Sequence, residues 1–161
     1  VWSLPGTPIL HTGRRVTHPN TTDTLIEVWD DGAGAWVVDN YDSGWRDIAS
    51  LASMPGSATL TLLRVRRTLH RVSFAMYWAD SQTNPSRVAF LTLPAGFRPP
   101  TTSYFSVPYD SNTAGSTMRY LFVGTNGSME YGGPTQSSGF AGSHSWDAAA
   151  TLPSSLPGTP A

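Results

Sequence analysis

Eleven acidic side chains, ten arginines and four histidines are spread through the 161 residues, and their spacing bounds the chemistry open to the chain. Asp80, Asp110, Glu130 and Asp147 fall in the C-terminal half, in or beside segments that read as loops. Two carboxyls at a set separation suffice for glycoside hydrolysis. Asp80 and Asp110 would form such a pair if they faced one groove, but solvated turn carboxylates are the commoner role for such residues. His11, His18, His70 and His144 show no ligand spacing, and the sequence holds no Gly-x-Ser-x-Gly elbow, no His-Glu-x-x-His and no phosphate loop. Asp30, Asp31 and Asp39 lack the ordered oxygen-ligand alternation of a calcium loop, and turn chemistry accounts for Asp31-Gly32. The expectation is a protein that is not an enzyme and uses no metal and no cofactor.

Aromatic residues offer a different chemistry. Trp78, Tyr104, Tyr109, Tyr120 and Tyr131 lie on strand-like runs or at their ends, close to polar loops. Aromatic faces are what sugar rings stack on, with neighbouring Asp supplying hydrogen bonds. The candidate ligand-binding set is therefore Trp78, Asp80, Tyr104, Tyr109, Asp110 and Tyr131. The competing role for each aromatic is burial in the core or in a subunit interface, since large rings dominate burial in small β-domains.

Short strands must position these residues. Thr24–Asp30 and Ala35–Tyr41, rich in β-branched and aromatic residues and joined through Asp31-Gly32, predict a hairpin. Thr59–Arg66 and Leu69–Trp78 predict a second pair. Within it Val72, Phe74, Met76 and Trp78 alternate with Arg71, Ser73, Ala75 and Tyr77, which puts one apolar face on the core. Arg64, Arg66, Arg67 and Arg71 read as a solvated cluster around the turn between them. Phe90–Leu93 predicts a strand that Pro94, Gly96, Pro99 and Pro100 must end, because proline lacks an N–H and fixes its own φ. Phe90–Pro100 is expected to be the crossing between the two halves of the fold, with Phe97 plugging its corner. Thr101–Tyr109, Thr117–Gly124 and Gly127–Gly132 follow, the last two joined by a tight primed turn at Asn126-Gly127. Residues 132–145 read as Gly/Ser-rich loop, and His144–Ala150 as a last edge strand. Val1–Pro19 reads as an extended connector. Ser3-Leu4-Pro5-Gly6-Thr7-Pro8 recurs as Ser155-Leu156-Pro157-Gly158-Thr159-Pro160, with no second copy of the interior.

Gly and Pro together number 28 residues and the charged fraction is 13%, a mixture that suits short strands and many turns. The predicted fold is all-β: an antiparallel β-sandwich or jelly-roll-like domain over 45–161, preceded over 1–44 by the extended connector and β-hairpin. Net charge is −1, every basic residue is arginine and none is lysine. With no basic face, nucleic acid is not an expected partner. The absence of cysteine excludes disulfides and thiolate metal sites. No run of 18 apolar residues predicts membrane insertion. A start at Val rather than Met is what a segment of a longer polypeptide would show.

The order of Val28-Trp29-Asp30-Asp31-Gly32 to Trp36, Ser43-Gly44-Trp45-Arg46-Asp47, Leu93-Pro94-Ala95-Gly96-Phe97-Arg98-Pro99, Asn126-Gly127 and Leu156-Pro157-Gly158-Thr159-Pro160 resembles a module of siphophage minor tail and receptor-binding (tail fibre) proteins of actinobacterial-type phages. The resemblance spans most of the chain. It implies a homotrimer in the virion tail, extracellular when acting, joined to other phage tail proteins through the N-terminal connector and binding a host cell-surface glycan or protein. It locates no binding residue. A tail-associated polysaccharide depolymerase and a purely structural fibre-shaft or decoration module are the alternatives.

Overall fold

The computed structural model describes residues 14–16, 24–30, 32–54, 59–79, 87–107, 119–132, 140–148, 151–154 and 156–161. Strands β1 (Arg14–Val16), β2 (Thr24–Asp30) and β3 (Ala35–Asp42) form a three-stranded antiparallel sheet in that order. The expected hairpin is β2–β3, with Trp29 opposite Trp36 and their rings edge-on at 5.8 Å. Arg14–Val16 lies inside the expected connector but pairs with Leu25–Glu27 as a third strand. Its three residues are too short a run to show a period in the sequence.

The rest is a sandwich of two antiparallel sheets. One contains β4 (Arg46–Asp47), β5 (Thr59–Arg67), β6 (Arg71–Ala79), β11 (Phe140–Asp147) and β12 (Thr159–Pro160), in the order β11-β6-β5-β4-β12. The other contains β7 (Val88–Thr92), β8 (Ser103–Val107), β9 (Arg119–Val123) and β10 (Ser128–Gly132), in the order β7-β10-β9-β8. Period-two alternation places Val72, Phe74, Met76 and Trp78 of β6, with Leu63 and Val65 of β5, against Phe90, Leu121, Val123, Met129 and Tyr131 from the facing sheet. Each such side chain contributes about 1.5–3 kcal/mol on burial. Trp78 is fully buried among them, its ring 4.8 Å from Tyr131 and 5.7 Å from Phe90 between centroids.

The Phe90–Pro100 stretch does something other than expected. Both β7 before it and β8 after it belong to the same four-stranded sheet and form its two edges. The stretch therefore spans one end of that sheet; the change of sheet comes earlier, between β6 and β7. Phe97 does plug the end: it is fully buried in a 3-10 turn, Ala95–Phe97. Arg67, read as a solvated turn residue, is also fully buried. Its guanidinium donates to the carbonyls of Gly96 and Thr151, fastening β5 to this turn and to the C-terminal segment.

Two further boundaries differ. Strand β11 begins at Phe140 rather than His144, because the small Gly142 and Ser143 sit opposite Met76 and Ala75 of β6 and extend the ladder. At Asn126-Gly127 only Gly127 has positive φ (87°), so the turn is not the primed two-residue form. Hydrogen bonds Gly127 N–H to Gly124 O and Gly124 N–H to Ser128 O close a longer loop with glycine at its left-handed position.

Candidate functional site: the aromatic face and the β8–β11 groove

Strand β8 is the edge of its sheet, and its alternation divides its side chains between two surfaces. Tyr104 points to the outer face, where it is 66% exposed, and its register partner on β9 is Phe122, whose own partner on β10 is Glu130. Tyr104 and Phe122 meet edge-on at 4.9 Å between centroids. The Arg87 guanidinium lies 4.0 Å above the Phe122 ring; its Nε donates to Glu130 Oε2 at 2.8 Å, and its Nη2 is ion-paired with the same oxygen at 2.8 Å. Ser128 Oγ donates to the other carboxylate oxygen at 3.1 Å. Tyr120, 52% exposed, lies two residues along β9 from Phe122 on the same face. The result is a platform of rings fixed by neighbours and bordered by a cation and a carboxylate. Cation–π contact and the edge-on ring pair hold it in shape before any ligand arrives.

Phe105, the next residue of β8, turns the other way. It stacks on His144 of β11 at 4.8 Å and approaches Trp146 at 6.0 Å. A groove of about 530 Å³ is lined by Trp45, Ser73, Phe74, Phe105, Ser143, His144 and Ser145. A second, of about 270 Å³, adjoins it through Phe105 and Ser145 and continues past Arg71, Pro99–Thr101, Ser103 and Asp147. Arg71 Nε donates to Ser145 Oγ at 2.8 Å, so the groove wall carries an ordered donor and hydroxyl. His144 Nε2 is buried without a hydrogen-bond partner. Burial lowers its pKa below the ordinary histidine value, which favours the neutral ring.

These two surfaces share β8 and carry hydroxyls, guanidinium groups, carboxylates and ring faces. That inventory fits a polar, ring-shaped ligand such as a saccharide. Among the described residues no three metal-ligand side chains cluster, and Glu130 and Asp147 belong to different sheets.

The structure separates the residues expected to form a site. Tyr104 stands on the platform. Trp78 and Tyr131 meet each other in the core, 0% and 2% exposed, and present no face to a ligand on the domain surface; they are interior residues, because the inward phase of β6 and β10 carries them there. Asp80, Tyr109 and Asp110 lie outside the described residues, as do His11 and His18. Phe122, Arg87, Phe105 and His144 complete the surfaces without having been singled out as ligand contacts. The run Arg119–Val123 contains Tyr120, Phe122, Leu121 and Val123 on alternate faces, and a strand aromatic or apolar on both faces does not announce which one is solvated.

No protein-family model, curated protein or solved structure matches this chain.

Proposed function

We propose that this chain is an attachment domain of a phage tail fibre or receptor-binding protein, non-enzymatic, which holds the virion to its bacterial host through a wall saccharide. The observation that carries the ligand class is the exposed Tyr104–Phe122 platform with Arg87 and Glu130 fixed beside it. The phage assignment rests on the order of the sequence elements, from the Trp29–Trp36 hairpin through Leu93–Pro99 to Leu156–Pro160. In this reading the domain works as a homotrimer, is joined to other tail proteins through its N-terminal residues, and acts outside the host cell. Three copies would also raise affinity for a repeating surface polymer through avidity.

The test is binding of the purified domain to actinobacterial cells and to their isolated wall polysaccharide, with native mass spectrometry for the assembly state. Saturable binding to both, weakened by Tyr104→Ala, supports the reading. Release of reducing ends from the polysaccharide would instead identify a depolymerase. A folded domain that binds neither cells nor polysaccharide would leave the structural fibre role, and a stable monomer would remove the trimer.

A further inference from the structure

The C-terminal segment closes the edge of the five-stranded sheet through contacts that fall mostly on its backbone. Thr159 and Pro160 pair with Asp47 and Arg46, and Ala161 N–H donates to Trp45 O at 3.0 Å. Arg46, itself buried, donates from Nε to Pro157 O at 3.1 Å and from Nη2 to Gly158 O at 2.8 Å. Leu156 packs against the core and Pro157 is buried. Gly158 has φ +59°, and a Cβ there would run into the Asp47 carbonyl. The slot on β4 thus selects glycine after proline, a leucine before them, and an extended Thr-Pro followed by a residue with an N–H.

That specification is met a second time in the same chain. Leu4-Pro5-Gly6-Thr7-Pro8 repeats Leu156–Pro160 residue for residue, and Ile9, like Ala161, supplies the N–H. Six identical residues, Ser3–Pro8 against Ser155–Pro160, offer the slot the same backbone and the same side chains. We propose that the β4 slot is a strand-accepting site for Leu-Pro-Gly-Thr-Pro, and that Leu4–Pro8 of a second copy of this chain is its other ligand, linking copies head to tail. An exposed sheet edge takes an added strand by this route. The two ligands differ in tethering: the chain's own tail competes at an effective concentration in about the millimolar range, so exchange belongs to crowded assemblies in which neighbours reach the same value. Three such links in a ring would close, and an unclosed series would extend as a filament. Such linkage of copies does not depend on saccharide binding.

The experiment uses the whole 161-residue chain, which has no cysteine of its own. Gly158→Ala is introduced to weaken the resident tail, Thr7→Cys is placed in one population and Asp47→Cys in another, and the two are mixed under oxidising conditions. An intrachain pair, Thr159→Cys with Asp47→Cys in a chain retaining Gly158, gives the reference geometry. The expected result is a mixed disulfide dimer as the main product, reduced roughly tenfold when Gly6→Ala is added to the Thr7→Cys chain, since both glycines face the same steric demand. Absence of the mixed dimer, or a yield indifferent to Gly6→Ala, overturns the proposal. If Gly158→Ala leaves the chain unfolded by circular dichroism, a synthetic peptide of residues 3–9 decides the matter: return of a cooperative melt supports the proposal, and failure to restore it rejects it.

Discussion

The indole Nε1–H of Trp146 donates to the carbonyl of Phe97 at 3.1 Å, tying edge strand β11 to the turn that spans the end of the opposite sheet. Both residues are buried, so the bond has no water to replace it. Trp146→Phe keeps most of the apolar area but strands the Phe97 carbonyl, and an unsatisfied buried acceptor costs about 1–3 kcal/mol. Urea unfolding of the variant should show a lower midpoint with an unchanged slope. An unaltered midpoint would mean that the bond contributes nothing.

Arg67 reaches the same turn from the other side. A buried guanidinium is retained here by carbonyl acceptors, those of Gly96 and Thr151, which hold three distant segments together. Desolvation lowers its pKa, though the charged form survives at any working pH because the ordinary arginine value is so high. Arg67→Met fills similar volume and removes every donor. The expected loss is about 3 kcal/mol or more, measured by thermal or urea unfolding, with Arg67→Lys intermediate because the lysine nitrogen stands one bond short of Nη1, the atom that donates to both carbonyls.

The strand content was legible from residue types, and Arg67 shows where legibility ended. Val72, Phe74, Met76 and Trp78 announced their common face because alternation is a local property, and all four are buried. Which sheet each strand joins is a long-range property. Nothing in Phe90–Pro100 tells a crossing between sheets from a span along one, and nothing around Arg67 signals that Gly96 and Thr151 would bring carbonyls to it. The candidate site divided on the same line. Tyr104 and Trp78 are both aromatics in strand-like runs near loops; only the phase of each strand relative to the finished core sends one outward and the other inward.

The platform can be separated from the fold by mutation. Tyr104 is mostly exposed, so Tyr104→Ala should change stability by no more than about 0.5 kcal/mol. On the proposed function it should weaken wall-polysaccharide binding about tenfold, in line with loss of one ring contact. Isothermal titration together with a melting curve reads both quantities. Intact affinity in a folded variant would remove Tyr104 from the ligand surface.

Acid should act on stability in two separate windows. His144 is half-buried with its Nε2 out of solvent, and its pKa is lowered by desolvation; the unfolded chain therefore binds its proton first, and stability falls as pH drops below about 6.5 towards the lowered folded value. Asp42 pKa is also lowered, first by its hydrogen bond from Arg66, whose Nε donates to Oδ1 at 2.9 Å. Its contribution is present above about pH 4 and is lost as pH falls through the depressed folded value. Both partners are partly exposed, so solvent screening keeps this second contribution below about 1 kcal/mol. Midpoints of urea unfolding measured from pH 8 to pH 3 should lose the upper slope in His144→Phe and the lower one in Asp42→Asn. The substitutions should act independently, since His144 is on β11 and Asp42 at the end of β3; a single slope removed by either variant would show that one group controls both windows.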